Sequence, residues 1–178
     1  HVVTGTVFHI NDLVGIGFTY DNHSELENKG ELYLNSRLSR EEGQLAAEID
    51  IRPSSLYMNS KEWEVMPSTI TLKGKEMNVE SFGLISGDEY IGLYGGTSEN
   101  SHANLNFELQ RFDISLINSI IGDRFGISGF MTGHARLTSP LKDKALFVDM
   151  ICDSTYISDI PLGVLSIGSG LNEEKGGL

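Results

Sequence analysis

Apolar and polar residues alternate with period two along most of this chain, and clusters of Gly, Asn, Asp and Ser interrupt the alternation about every eight to twelve residues. Clear instances are "ELYLNSRL" (31–38), "QLAAEIDI" (44–51), "STITLKG" (68–74), "EMNVESFGL" (76–84), "NLNFELQRF" (104–112) and "ALFVDMIC" (145–152). A period of two places alternate side chains on opposite faces of a strand, so each segment predicts a strand with one greasy and one wet face. Ile70 and Leu72 share a side, with Thr71 opposite. Met77 and Val79 share a side, with Asn78 opposite, and "KGK" between the two segments reads as a tight hairpin turn. Leu105, Phe107 and Leu109 against Asn106, Glu108 and Gln110 repeat the arrangement. In "DEYIGLYGGTS" (88–98), Ile91 and Leu93 share one face, and Tyr90 and Tyr94 the other.

One stretch departs from the alternation. In "DISLINSIIG", Asp113 is placed to cap, Ile114, Ile117 and Ile121 fall at helical spacing, and Gly122 supplies a stop, which predicts a short helix over 114–121. Beyond it, Gly126, Gly129 and Gly133 lie in a segment that still alternates, and they predict a sharply bent strand. The expected class is therefore all-β, an antiparallel sheet with one short helix. Alternation alone describes equally a β-sandwich whose two sheets bury each other's apolar faces. No Pro- or Ser-rich linker or charge block divides residues 1–178, so a single domain is expected. His1-Val2-Val3 opens without a Met inside a strand-like pattern and the chain ends in "LNEEKGGL", which suggests a segment of a longer protein.

Charge and chemistry narrow the function classes. Thirteen Lys and Arg against 25 Asp and Glu give a net charge of −12, a poor match to phosphate backbones, and nucleic acid is not expected as a partner. No apolar run is long enough to cross a bilayer as a helix, and no signal-peptide pattern is present, so any such segment would lie outside this stretch. One cysteine, Cys152, permits no internal disulfide and reads as packing. His1, His9, His23, His102 and His134 lack the close spacing of a zinc site on one element. "DNHSELEN" (21–28) lacks the Gly and final Glu of a calcium loop, and Asn22-His23-Ser24 fits a glycosylation triplet. "SPLK" (139–142), "GISGF" (126–130) and "GIGFTY" (15–20) each approach a catalytic or nucleotide-binding motif and read better as turns and strands. Neither a catalytic residue, a metal site nor a cofactor emerges, and the chain is expected not to be an enzyme.

Three features in order carry a family resemblance: the Trp-led segment "SKEWEVMPSTITLKG", the glycine-ended strand "EYIGLYGGTS", and "LNFELQRFDISLINSIIGDRFGISGFMTGHARLTSPLKDKALFVDM". Over roughly residues 54–170 they resemble the C-terminal region of the TamB (translocation and assembly module) proteins of the AsmA-like envelope superfamily. The shared habit is a strand, an aspartate-led short helix (Phe112-Asp113-Ile114-Ser115-Leu116), a glycine-spaced strand (Ile127 to Gly133) and a turn before the next strand, continued by "SDIPLGVLSIGSG". The resemblance implies a curved antiparallel sheet folded like a taco around a hydrophobic groove. It implies a protein anchored in the inner membrane that spans the periplasm of a Gram-negative cell, phospholipid acyl chains as cargo, and an outer-membrane barrel of the Omp85 class and flanking segments of the same chain as partners. Joined to the alternation, it makes Ile70, Leu72, Met77, Val79, Ile91, Leu93, Leu105, Phe107 and Leu109 the expected lining, with Tyr90 and Tyr94 outward. The alternative is an assembly or adhesion scaffold whose apolar face or sheet edge binds client proteins.

Overall fold

The computed structural model describes residues 2–10, 13–21, 29–58, 61–99, 103–118, 126–139, 141 and 145–172. Its elements are β1 (Val2–Ile10), β2 (Leu13–Asp21), β3 (Lys29–Glu41), β4 (Gln44–Ile51), β5 (Ser54–Met58), β6 (Lys61–Val65), β7 (Ser68–Lys73), β8 (Glu76–Ser86), β9 (Glu89–Thr97), β10 (Asn104–Asp113), β11 (Ile127–Thr138), β12 (Ala145–Ile157) and β13 (Ile160–Asn172), with a 3-10 turn at Ile114–Ile117. The chain is 83% strand.

All thirteen strands belong to one antiparallel sheet, which is an uninterrupted up-and-down meander. β4 and β5 lie end to end against β3, through Leu34 to Glu41 and through Lys29 and Gly30 respectively. β6 and β7 lie end to end against β8 in the same way. The two breaks fall at Arg52-Pro53 and Met66-Pro67, where a ring nitrogen without a proton interrupts the ladder. Counted as continuous, these are two kinked strands in a ladder of eleven positions that begins with β1 and ends with β13.

Tight turns connect the neighbours. Glu42-Gly43 and Ser158-Asp159 have positive φ at both residues, the primed geometry that matches strand twist. Gly74-Lys75 and Gly87-Asp88 form two-residue turns with a left-handed glycine first.

The sheet is curved, and its bends coincide with places where the alternation slips. Val79 and Phe82 are three residues apart yet face the same way, because Glu80 and Ser81 form a bulge opposite Tyr94. Leu109 and Phe112 repeat this over Gln110 and Arg111, and Cys152 and Thr155 over Asp153 and Ser154. Arg111 and Ser154 carry φ of 47° and 50°, and bulged strands bend and twist more strongly. The expected bend at Gly129 is present as a register shift between Ser128 and Phe130.

The β-sandwich alternative does not describe this chain, which forms a single sheet rather than two stacked ones. The predicted helix over 114–121 is shorter and tighter than expected: a 3-10 turn of four residues, with the Asp113 carboxylate accepting from the Ser115 amide at 2.9 Å. Ile121 and Gly122 lie outside the described residues, as do His1, His23, His102 and the loop 22–28 with its glycosylation triplet.

A continuous apolar face at the concave side of the sheet

Directly opposed residues of an antiparallel pair point to the same side, so the registers trace each face across the strands. One row runs Val14, Ser36, Ile49, Ile70, Val79, Gly95, Leu105, Leu137, Leu146, from β2 to β12. A second runs Val65, Leu84, Ile91, Leu109, Gly133, Met150, Ile167, from β6 to β13. Between them Phe82, Leu93, Phe107, Ala135 and Val148 form a third, and Leu38, Ala47, Leu72 and Met77 a fourth. No charged residue interrupts these rows. All nine residues expected to line a groove fall on this one face, including Ile91 and Leu93 of the tyrosine strand.

The opposite face is polar. Arg37 pairs with Glu48 at 2.8 Å and Lys73 with Glu42 at 2.9 Å. Arg111 lies over the Phe130 ring and Arg136 over the Phe147 ring. Tyr90 and Tyr94 lie here, and Gly83, Gly92 and Tyr90 explain each other. Gly83 and Gly92 are directly paired, and a Cβ on Gly92 would meet the Tyr90 hydroxyl at 2.5 Å. The Tyr90 ring thus lies along a glycine track, where burial first, then the Glu108 carboxylate and Tyr94, push its pKa upward. Tyr33, elsewhere on this face, is also raised, by its hydrogen bond to Glu31.

The apolar face is closed at one end. Trp63 is fully buried and meets Phe112 with ring centroids 6.2 Å apart. β6 and β10 are separated by β8 and β9, about 14 Å on a flat sheet, so this contact marks the side toward which the sheet curls. Ile114, in the 3-10 turn, is buried beside them. Glu89 is buried here as well and pairs with Lys61, whose ammonium lies 5.7 Å from the Trp63 ring centroid. The second Glu89 oxygen accepts from the Asp113 amide at 3.5 Å. The Asn118 side chain clamps the turn to the start of β11 through both its donor and its acceptor, on the Ile127 carbonyl and amide. The closure is thus an aromatic pair and a tethered turn. Two groups at or near this line, Trp63 Nε1 and Ser68 Oγ, are buried without a hydrogen-bond partner.

The other end is open: Leu38 and Leu45 are 53% and 65% exposed. Between the ends, Val79 and Leu109 are buried, whereas Ile70, Leu72, Met77, Ile91, Leu93, Leu105 and Phe107 are half-buried. Leu72 and Met77, with Ala47, Thr71 and Asn78, also line a cleft of about 340 Å³. The whole chain exposes 11500 Å², against about 8,600 Å² for a compact protein of its mass.

Sequence reasoning reached only the nine central residues. Val65, Phe82, Leu84, Ala135, Val148 and Met150 share the face, and Trp63 and Phe112 close it. Phe82 and Phe112 were masked by the bulges that shift their phase. Among the described residues, no group of His, Cys, Asp and Glu is arranged to hold a metal ion, and no helix is long and apolar enough to cross a membrane. Cys152 is a buried free thiol on the apolar side, beside Gly129. No family model, curated protein or solved structure matches the chain.

Proposed function

We propose that this chain is a segment of a hydrophobic conduit that spans the periplasm, shields the acyl chains of phospholipids moving between the inner and outer membranes, and supports outer-membrane protein assembly. The proposed role is non-enzymatic. In this reading the full-length protein is anchored in the inner membrane of a Gram-negative envelope and works with an Omp85-class barrel and with flanking segments of its own chain. The resemblance to TamB proteins motivates it.

The observation that carries it is the apolar row from Val14 to Leu146, unbroken by charge and covered by no second sheet. An acyl chain in water costs about 0.8 kcal/mol per CH₂, on the order of 10 kcal/mol for a chain of ordinary length. A one-sided apolar trough offsets that cost and leaves the head group in water. Photo-crosslinkers at Ile91 and Leu93 should capture phospholipid in cells, and crosslinkers at Tyr94 and Gln110 should not. Capture from the outer positions alone would refute the assignment of faces and with it the conduit.

A second reading, a scaffold that binds client proteins by strand addition, is favoured by the outermost strands. β1 and β13 contain no Asp, Glu, Lys or Arg, although edge strands commonly carry charges that block pairing. Mass spectrometry of the purified protein separates the two: co-purifying phospholipid favours the conduit, and co-purifying polypeptide with no lipid favours the scaffold.

A further inference from the structure

We propose that β13 is a self-pairing edge, through which two copies of this chain join antiparallel about a two-fold axis at Ser166. β13 is thirteen residues long, pairs with β12 on one side only, and contains no charged side chain. In a chain of net charge −12, that makes it a line along which a second copy approaches without facing carboxylates on the strand itself. Its side chains are uncovered on both faces, with Ile160 62% and Val164 64% exposed, and Phe147 and Ile151 on the neighbouring strand add to an apolar patch on the otherwise polar side.

The occupant is read from the distribution of side-chain size. The first half of β13 is bulky (Ile160, Leu162, Val164, Leu165) and the second half is small (Ser166, Gly168, Ser169, Gly170). Antiparallel pairing of the strand with itself lays each half on the other. With Ser166 on the axis, Val164 opposes Gly168 of the partner subunit, Leu162 opposes Gly170 of the partner subunit, and Leu165 meets Ile167 of the partner subunit. A Cβ at Gly168 would meet nothing within 4 Å, so the space is free for the incoming valine. Gly170 is paired with Phe147, so the incoming Leu162 reaches that ring from the side opposite Arg136. Leu165 and Ile167 both lie on the concave side, opposite Cys152 and Met150, so the apolar face continues from one copy into the next. A register shifted by one residue would turn these side chains to opposite faces. Thirteen paired residues form a contact line of about 43 Å with about a dozen backbone hydrogen bonds, and ordinary protein interfaces carry about ten. The inference does not depend on what the concave face carries.

The test is the mass of the purified protein in solution, with two substitutions. Light scattering should give twice the 19.6 kDa chain mass at tens of micromolar. Ser166→Cys should cross-link to a dimer under mild oxidation, since Cys152 is buried and does not compete. Ser166→Lys, which sets two like charges on the axis, should weaken the dimer at least tenfold while the emission of Trp63, the single tryptophan, stays unchanged. A wild-type monomer overturns the proposal, as does a monomer whose β13 amides are protected from exchange, which would mean that another part of the chain covers the edge. Cross-linking through Thr6→Cys on β1 but not through Ser166→Cys would assign the contact to the other edge and overturn it as well.

Discussion

Leu93 and Leu109 lie one row apart on the same face and differ in what surrounds them, so truncating each separates a trough from a packed core. Leu109 is 7% exposed, between Ile91 and Gly133, in the row that ends near the Trp63 closure. Leu109→Ala removes buried carbons and leaves a cavity that neighbours only partly fill, a cost of about 3 kcal/mol. Leu93 opposes Phe82 and Phe107 and is half-buried. Its truncation forfeits about half the transfer free energy of three carbons, roughly 1.2 kcal/mol, and leaves no enclosed cavity because the space above already opens to solvent. Urea unfolding followed by Trp63 emission measures both, and the expected ratio is more than two. If Leu93→Ala costs as much as Leu109→Ala, the chain packs its own side chains over the face and the trough does not exist. A polar probe sharpens the contrast: Leu93→Asn should be tolerated to within about 2 kcal/mol, whereas Leu109→Asn buries an amide without partners and should unfold the protein.

Tyr90→Phe keeps the ring over Gly83 and Gly92 and removes its ionisable hydroxyl. Because the folded pKa of Tyr90 is raised, its contribution is full below pH 10 and is lost as pH rises through the folded value, so the variant should lose less stability than wild type in unfolding titrations between pH 9 and 12; coincident curves would refute this. Gly133→Ala should destabilise by about 3 kcal/mol, since a Cβ there would lie 2.2 Å from the Asp149 carbonyl at a φ of 152°, while Gly5→Ala, with nothing closer than 4.0 Å, should stay within about 0.5 kcal/mol by thermal unfolding. Lys61→Met strands the buried Glu89 carboxylate and should cost about 3 kcal/mol, the lower end for a broken buried pair because Lys61 itself is about one-third exposed, and adding Glu89→Leu should recover most of it in a double-mutant cycle. Ser68→Ala removes a buried hydroxyl without a partner and should be neutral or stabilising by up to about 1 kcal/mol in the same urea assay.

The period-two signal was enough to place Ile70 beside Val79 and Leu105 beside the tyrosine strand's apolar side, because strand periodicity and hairpin turns are both local properties. What the pattern lacked was phase across a bulge. "MNVESFGL" reads as two alternations out of step, and only the pairing of Glu80 and Ser81 against the single Tyr94 restores Phe82 and Leu84 to the face of Val79. The same ambiguity hid Phe112 behind Gln110 and Arg111. The proline breaks have the opposite character: Pro53 and Pro67 are plain in the sequence, but their alignment across the ladder depends on the register sum of two hairpins. The helix was overextended because Ile114, Ile117 and Ile121 match a helical spacing, whereas Asp113 caps a turn that tightens to 3-10 within four residues. Nor could spacing foretell that Trp63 would meet Phe112, a contact made by curvature rather than by pairing.

Curvature and exposure are linked in this fold by the choice of a meander. Each strand touches mainly its chain neighbours, so the sheet has no second layer to lean on, and the shape must come from the breaks within the strands themselves. The bulges at 80–81, 110–111 and 153–154 and the breaks at Pro53 and Pro67 supply it, and they curl the apolar side inward until Trp63 reaches Phe112. That closure buries the wide aromatic end and leaves the narrower aliphatic rows half in water. A sequence selected only for stability would fill those rows with larger side chains, yet Gly95, Gly133 and Ala135 lie within them, opposite Leu105, Leu109 and Phe107. Gly133 is required by its backbone conformation, whereas Ala135 is a place where added volume is sterically conceivable and absent. Ala135→Leu is therefore informative: in a trough it should leave stability within about 1 kcal/mol and reduce the uptake of a fluorescent fatty acid, whereas overpacking of a closed core would cost about 1–3 kcal/mol and leave uptake unchanged.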